Sequence, residues 1–355
     1  MKIYKQYTAV LLTVGILWST AYGITIGSDS AVSRQAFVNF TDPTNTILGF
    51  AAMENGFSLN TSSVACLFSS VFPVGGPVTL NGGTLTLNLD LKFDSNATLV
   101  NGGLINAAFR IVSFPDIRTG FTIPSGLVVS NSIIYLNSDV TLSGVFRLNG
   151  STIIRGQHYT LNLGSSGALV IGDGGTLLLD DVTIDGLHAG NMYCIDNAGT
   201  FSFDKVMLVL DDDYSFTQGR FDVVTSCNIS GTHVFTYQSS ATSSIQSDAT
   251  LFFDSGMTFS YAPSAAEKNL LIMSDQSSIM HIYETSLHST STGLQLTKGT
   301  LIVEGTCPVY SGAATAAEGI FLGGGSTETE LSVRILPESS LDVVSGFVVY
   351  DNVST

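Results

Sequence analysis

Positive charge is scarce in this chain: 355 residues carry 13 Lys and Arg against 29 Asp and Glu, a net charge of −16. A surface of that sign repels phosphate backbones and anionic lipid headgroups, so nucleic acid and acidic membranes are excluded as expected partners. Charged residues of both signs make up only 12% of the sequence while 44% is hydrophobic, which is the composition of a folded core and not of an acidic disordered tail. Cysteine is sparse too. Cys66, Cys194, Cys227 and Cys307 lie far apart and make no disulfide framework, leaving either a Cys194–Cys227 bridge or four small buried apolar residues. Beyond the first 23 residues no run approaches the roughly 18 apolar residues of a spanning helix. Phosphate-binding glycine loops, serine-nucleophile elbows and Cys/His catalytic signatures are missing, and no capped amphipathic helix stands out.

What the chain does have begins with a secretory signature. Lys2 and Lys5 precede an apolar stretch from Thr8 to Leu17, and Ala21-Tyr22-Gly23 then sets small residues where a signal peptidase reads them. Residues 1–23 are therefore expected to be a signal peptide and the protein to be secreted or held at the cell surface. No transmembrane segment is expected after it.

One short pattern recurs further on. It runs Gly83-Thr84-Leu85-Thr86-Leu87-Asn88, Gly175-Thr176-Leu177-Leu178-Leu179-Asp180, Gly199-Thr200-Phe201-Ser202-Phe203-Asp204, Ala249-Thr250-Leu251-Phe252-Phe253-Asp254 and Gly299-Thr300-Leu301-Ile302-Val303-Glu304. The formula is a small residue, Thr, apolar, any residue, apolar, then a carboxylate or amide. The starts lie 92, 24, 50 and 50 residues apart, consistent with a period near 24 and with equivalent positions stacked coil on coil. Apolar residues alternate within copies, most extensively at Leu85, Leu87, Leu89, Leu91 and Phe93, which sets them on one face of a strand. Gly, Asn, Asp and Ser punctuate the strands. The expected fold is all-β, a single-stranded right-handed parallel β-helix of about eleven coils.

The expected layout is a cap or irregular segment over 24–77, the solenoid over 78–350 and a short tail over 351–355. Pro263 to Asp275 and Gly312 to Glu330 read as loops extruded from the coils. Leu341 to Tyr350 reads as a last coil. Its exposed strand edges call for end-to-end association, a capping partner or further polypeptide.

Candidate sites are few. Asp180 and Asp204, the sixth residues of neighbouring copies, are expected to lie one coil apart, where calcium would relieve their repulsion if they do not simply staple turns. Asp211, Asp212 and Asp213 with Arg220 form the densest ionisable cluster, and Asp180, Asp181 and Asp185 fall about one coil earlier. Two carboxylates on one groove would suit glycoside hydrolysis, against the alternative of a solvated loop. The steps His188 to Cys194 and Cys227 to His233 do not have zinc-ligand spacing. Tyr214, Phe216 and Tyr237 are open to a sugar-stacking or a core role.

The Gly-Thr-Leu-x-Leu-Asp coils resemble those of right-handed parallel β-helices of the pectate-lyase-like superfamily, of autotransporter passengers and of surface adhesins. The resemblance covers roughly residues 78–350 at the level of pattern. The Gly-His-Gly and Arg-Ile-Lys motifs of the polygalacturonase branch do not occur. The resemblance implies a secreted or surface protein that binds a glycan or a host or matrix protein, with a polysaccharide lyase or glycoside hydrolase as the alternative. No cofactor beyond calcium is suggested.

Overall fold

A computed structural model describes residues 72–351, apart from 88–89, 117–119, 264–266, 291–292, 313–318 and 324–329, and five short strands between Thr25 and Phe68. The proposed signal peptide and Asn88 lie outside the described residues, as do parts of the proposed cap and of both loops. Among the described residues every regular element is a strand. No helix there is long and apolar enough to cross a membrane. The chain divides into two compact units, residues 1–153 and 154–355. Each is a stretch of parallel β-solenoid, and about ten turns are present along the chain, matching the right-handed parallel β-helix expected from the repeats.

In the N-terminal unit, Thr46–Leu48, Val64–Phe68, Thr84–Leu87, Leu104–Asn106, Leu127–Ser130 and Val145–Asn149 pair side by side in parallel. Successive partners there are often 20 residues apart, as from Thr46 to Cys66, Val64 to Thr84 and Thr84 to Leu104. This ladder starts well before residue 78. The long alternation expected at Leu85 to Phe93 is divided between two ladders. Leu85 and Leu87 belong to the first, whereas Leu91–Phe93 pairs with Phe72–Val74 and with Ile111–Ser113. Leu85, Leu87, Leu91 and Phe93 are all buried, as the alternation required, and Leu89 lies outside the described residues.

Three main ladders build the C-terminal unit. The first holds Thr176–Asp180, Thr200–Asp204, Arg220–Val223, Ser243–Ile245 and Leu271–Met273. The second holds Thr160–Asn162, Thr183–Leu187, Val206–Leu210, Ser226–Ser230, Thr250–Phe253, Ile279–Tyr283, Lys298–Glu304 and Glu330–Ile335. The third holds Tyr214–Phe216, Val234–Tyr237, Thr258–Tyr261, Ser286–Ser289, Thr306–Ser311 and Ser340–Ser345.

The uniform 24-residue period does not hold. Coil steps range from 19 residues (Leu127 to Phe146) to 34 (Cys307 to Leu341). Two repeat copies, at Thr176 and Thr200, do stack in register. The copies at Thr250 and Thr300 lie instead in the second ladder, two coils apart across Ile279. The motif thus marks the start of a strand on whichever face needs one. Backbone pairing fixes strand spacing at about 4.8 Å, whereas corners absorb insertions freely, so a sequence period blurs while the ladders stay regular. The small first residue has a steric cause at Gly299: its φ is +83°, and a Cβ there would lie 2.6 Å from Met273 Sδ and from the Ser278 carbonyl oxygen.

Inward positions form columns. Phe201 and Phe221 are register neighbours, and the Phe203 and Phe221 rings lie 4.2 Å apart. Phe216, Tyr237 and Tyr261 make another column, the two tyrosine rings stacking at 5.6 Å with planes 4° apart. Offset aromatic stacks of this kind add to the area they bury, which is the main source of cohesion between coils.

Candidate functional site

The carboxylates singled out in the sequence occupy several places. Asp180 and Asp204 are register partners on adjacent strands of the first ladder, as their spacing required. Each has its own partner. Asp180 Oδ2 lies 3.7 Å from Arg155 Nε, and Asp204 Oδ1 accepts a hydrogen bond from the Thr225 hydroxyl at 2.5 Å. Asp185 sits on the second ladder, opposite Asn162. Asp211, Asp212 and Asp213 follow the end of the Val206–Leu210 strand, at the corner leading to Tyr214–Phe216, and all three are exposed. Asp180 and the triplet therefore belong to different faces, because strand pairing fixes each face and a corner separates them.

Arg220 does not join the triplet. It lies on the first ladder, where its Nη2 meets Asp222 Oδ2 at 2.9 Å. Nothing in the sequence distinguished Asp222, yet its side chain is only 8% exposed. Its Oδ1 accepts from the Ser244 amide at 2.9 Å and the Ser244 hydroxyl at 3.0 Å on the next coil. The position after Phe221, within an alternating strand, was the only available signal.

His233, one coil on, is a basic neighbour of the triplet. Asp212, Asp213 and His233 each offer one ligand atom, all within 4.8 Å of one another. The local hydrogen bonds already use these carboxylates: Asp213 Oδ1 accepts from the Val234 amide at 2.9 Å and Asp212 Oδ1 from the Asp213 amide at 2.8 Å. His233 Nδ1 stands 3.9 Å from Asp213 Oδ1.

The same use of carboxylates recurs elsewhere in the unit. Asp196 Oδ1 accepts from the Ala198 and Gly199 amides at 3.0 and 2.9 Å, and its carboxylate also takes the Gly174 amide of the preceding coil. Asp275 accepts from the Ser247 and Ser277 hydroxyls, which hold its pKa down to about 2. Asp254 accepts from the Ser255 amide at 2.8 Å. Carboxylates that bond their own turns stabilise corners in the way short polar residues generally do.

A shallow open depression lies where the first and second ladders meet, lined by His158, Asp181, Thr183, Lys205, Met207 and Asn228. His158 Nδ1 and Asp181 Oδ1 are 2.7 Å apart there. Asp181 and Lys205 both hold positive φ, at 54° and 55°, as equivalent corners of adjacent coils.

Tyr214, Phe216 and Tyr237 are buried core residues. The Tyr214 hydroxyl donates to the Met192 carbonyl at 2.5 Å, and the Tyr237 hydroxyl to the Ala241 carbonyl at 2.6 Å. Burial raises both phenols, Tyr237 to about 12. Cys194, Cys227 and Cys307 are free and buried, so the Cys194–Cys227 bridge is not formed. Burial, reinforced by the charge of Asp196, pushes the Cys194 thiol up to about 12, and burial alone raises that of Cys227. Thiols held protonated in this way are poor metal ligands and nucleophiles. His188 bonds the Gly164 carbonyl through Nε2 at 3.2 Å.

No family model matches the chain, and no solved structure matches it.

Proposed function

We propose that the protein is an exported, cell-surface or secreted β-solenoid with an adhesive or structural role, binding a glycan or a host or matrix protein through its solenoid faces and extruded loops. Its coil pattern resembles those of autotransporter passengers, surface adhesins and the pectate-lyase-like superfamily. The observation that carries this reading is the employment of several carboxylates of the C-terminal unit in holding turns and neighbouring coils. Asp196, Asp212, Asp213, Asp254 and Asp275 each accept backbone amides at corners. General acid–base hydrolysis of a glycosidic bond needs two carboxyl groups on opposite sides of one bound sugar. The acidic surface favours neutral or cationic ligands over anionic polymers.

The test is to offer residues 24–355 to immobilised neutral, basic and acidic glycans and to matrix proteins. Retention on one ligand class without released sugar supports the proposal. Absence of retention on every surface, together with released product, overturns it in favour of a polysaccharide lyase or hydrolase.

A further inference from the structure

Thr183, Met207 and Asn228 are register neighbours on successive strands of the second ladder, beside the corner that carries Asp181 and Lys205. With strands about 4.8 Å apart the column spans about 10 Å, close to the breadth of one pyranose ring with its hydroxyls. These residues line the open depression described above. Asn228 is its anomaly. The side-chain Oδ1 is buried and has no hydrogen-bond partner among the described residues, so a donor is missing at this point. Lys205 is exposed, and its ammonium has no carboxylate partner among the described residues, although acidic groups far outnumber basic ones in the chain. Asp181 meets His158 Nδ1 through Oδ1 at 2.7 Å, and no described residue engages its other oxygen.

The lining therefore mixes donors with acceptors. Lys205 Nζ and Asn228 Nδ2 donate, Asp181 Oδ2 and Asn228 Oδ1 accept, and the Thr183 hydroxyl does either. An anion arriving here would meet Asp181 and a cation would meet Lys205. Hydroxyl groups give and take hydrogen bonds at once, and so suit both. Met207, 40% exposed between Thr183 and Asn228, offers an apolar patch to the C–H face of a ring. It is also the side chain that can give way, since an unbranched thioether moves readily and its displacement uncovers Asn228 Oδ1. We infer that this depression is a subsite for one neutral hexopyranose unit of a glycan, with ring hydroxyls on Asn228, Lys205 and Asp181 and the apolar ring face on Met207. The inference rests on the proposed glycan-binding role and gives it a place and a sugar class.

Nuclear magnetic resonance of the isotope-labelled full chain tests it, with the methyl glycosides of glucose, galactose, mannose and glucuronic acid as probes. At least one neutral glycoside is expected to shift the Asn228 side-chain amide saturably at millimolar concentrations. Asn228→Ala and Lys205→Gln are each expected to weaken that glycoside about tenfold, the loss of one hydrogen bond, as read from the backbone amides of Thr183 and Met207. Circular dichroism confirms that each variant is folded; the first deletes an unpaired group and the second alters the tip of an exposed side chain. An Asn228 amide indifferent to every neutral glycoside, tighter binding of the glucuronide, or variants that bind like the wild type would overturn the inference. Equal retention of the wild type and both variants on immobilised neutral glycans would also overturn it, while leaving the adhesive reading in place with its ligand elsewhere on the solenoid. Absence of retention on every glycan and matrix surface would remove that reading and the inference with it.

Discussion

Replacing Asp222 with Ala removes a carboxylate that ties two coils together. Ser202, Asp222 and Ser244 lie on three successive strands of the first ladder, and Asp222 takes both the amide and the hydroxyl of Ser244 while its other oxygen meets Arg220. Alanine leaves the Ser244 amide unsatisfied in a part-buried site, which costs about 1–3 kcal/mol, and forfeits charge-assisted bonds of similar size. Arg220 is 49% exposed, so water replaces its lost partner and adds little. The expected loss is therefore about 2–4 kcal/mol. Asp222→Asn keeps an acceptor for Ser244 and is expected to cost about 1 kcal/mol. Urea titration would measure both, and amide hydrogen exchange at Ser244 would report the local opening directly. If Asp222→Ala changes stability by less than about 0.5 kcal/mol and leaves Ser244 exchange unaltered, the role assigned to this carboxylate is wrong.

Three further outcomes follow from the core and corners. Phe221→Ala empties a site that contacts Phe203, Phe216 and Phe235 and is expected to cost about 3–5 kcal/mol by calorimetry or denaturation, with a loss below 1 speaking against the aromatic column. Gly299→Ala forces a side chain into a positive-φ site already crowded by Met273 and Ser278, and is expected to lower the melting temperature by several degrees; an unchanged melting temperature refutes the steric account. Stability is expected to fall with alkalinity. Cys194 and Tyr237 have folded pKa values raised to about 12, so the unfolded chain sheds these protons first as pH climbs past the ordinary thiol and phenol values near 9 and 10, and their contribution drains away towards about pH 12. Stability that is flat across that range would contradict the burial of these groups, as would native thiols that react readily with an aromatic disulfide reagent.

The fold was legible wherever local chemistry repeats. Thr176–Asp180 and Thr200–Asp204 share residue types because they occupy equivalent places, and their pairing could be read directly from the 24-residue step. Corners were much less legible. Coil length is set by loops that carry little energy, so the copies at Thr250 and Thr300 gave no sign that they belonged to another face. The site suffered from the same ambiguity. Period-2 alternation tells inside from outside but not which outward residues share a face, and Arg220 therefore looked like a companion of Asp211 to Asp213 when a corner and a strand separate them. Tyr214 and Tyr237 were equally ambiguous, since a tyrosine suits a core once a carbonyl such as that of Met192 or Ala241 receives its hydroxyl.

The most direct test of the proposed binding role is to incubate residues 24–355 with a panel of soluble polysaccharides and measure reducing ends and unsaturated products over many hours. No product above buffer is expected from any member, and changing Asp180, Asp185, Asp211, Asp212 and Asp213 together to Asn is expected to leave that result unaltered. Product that appears with the wild type and vanishes with the substituted chain would contradict the account and make those aspartates the reacting groups.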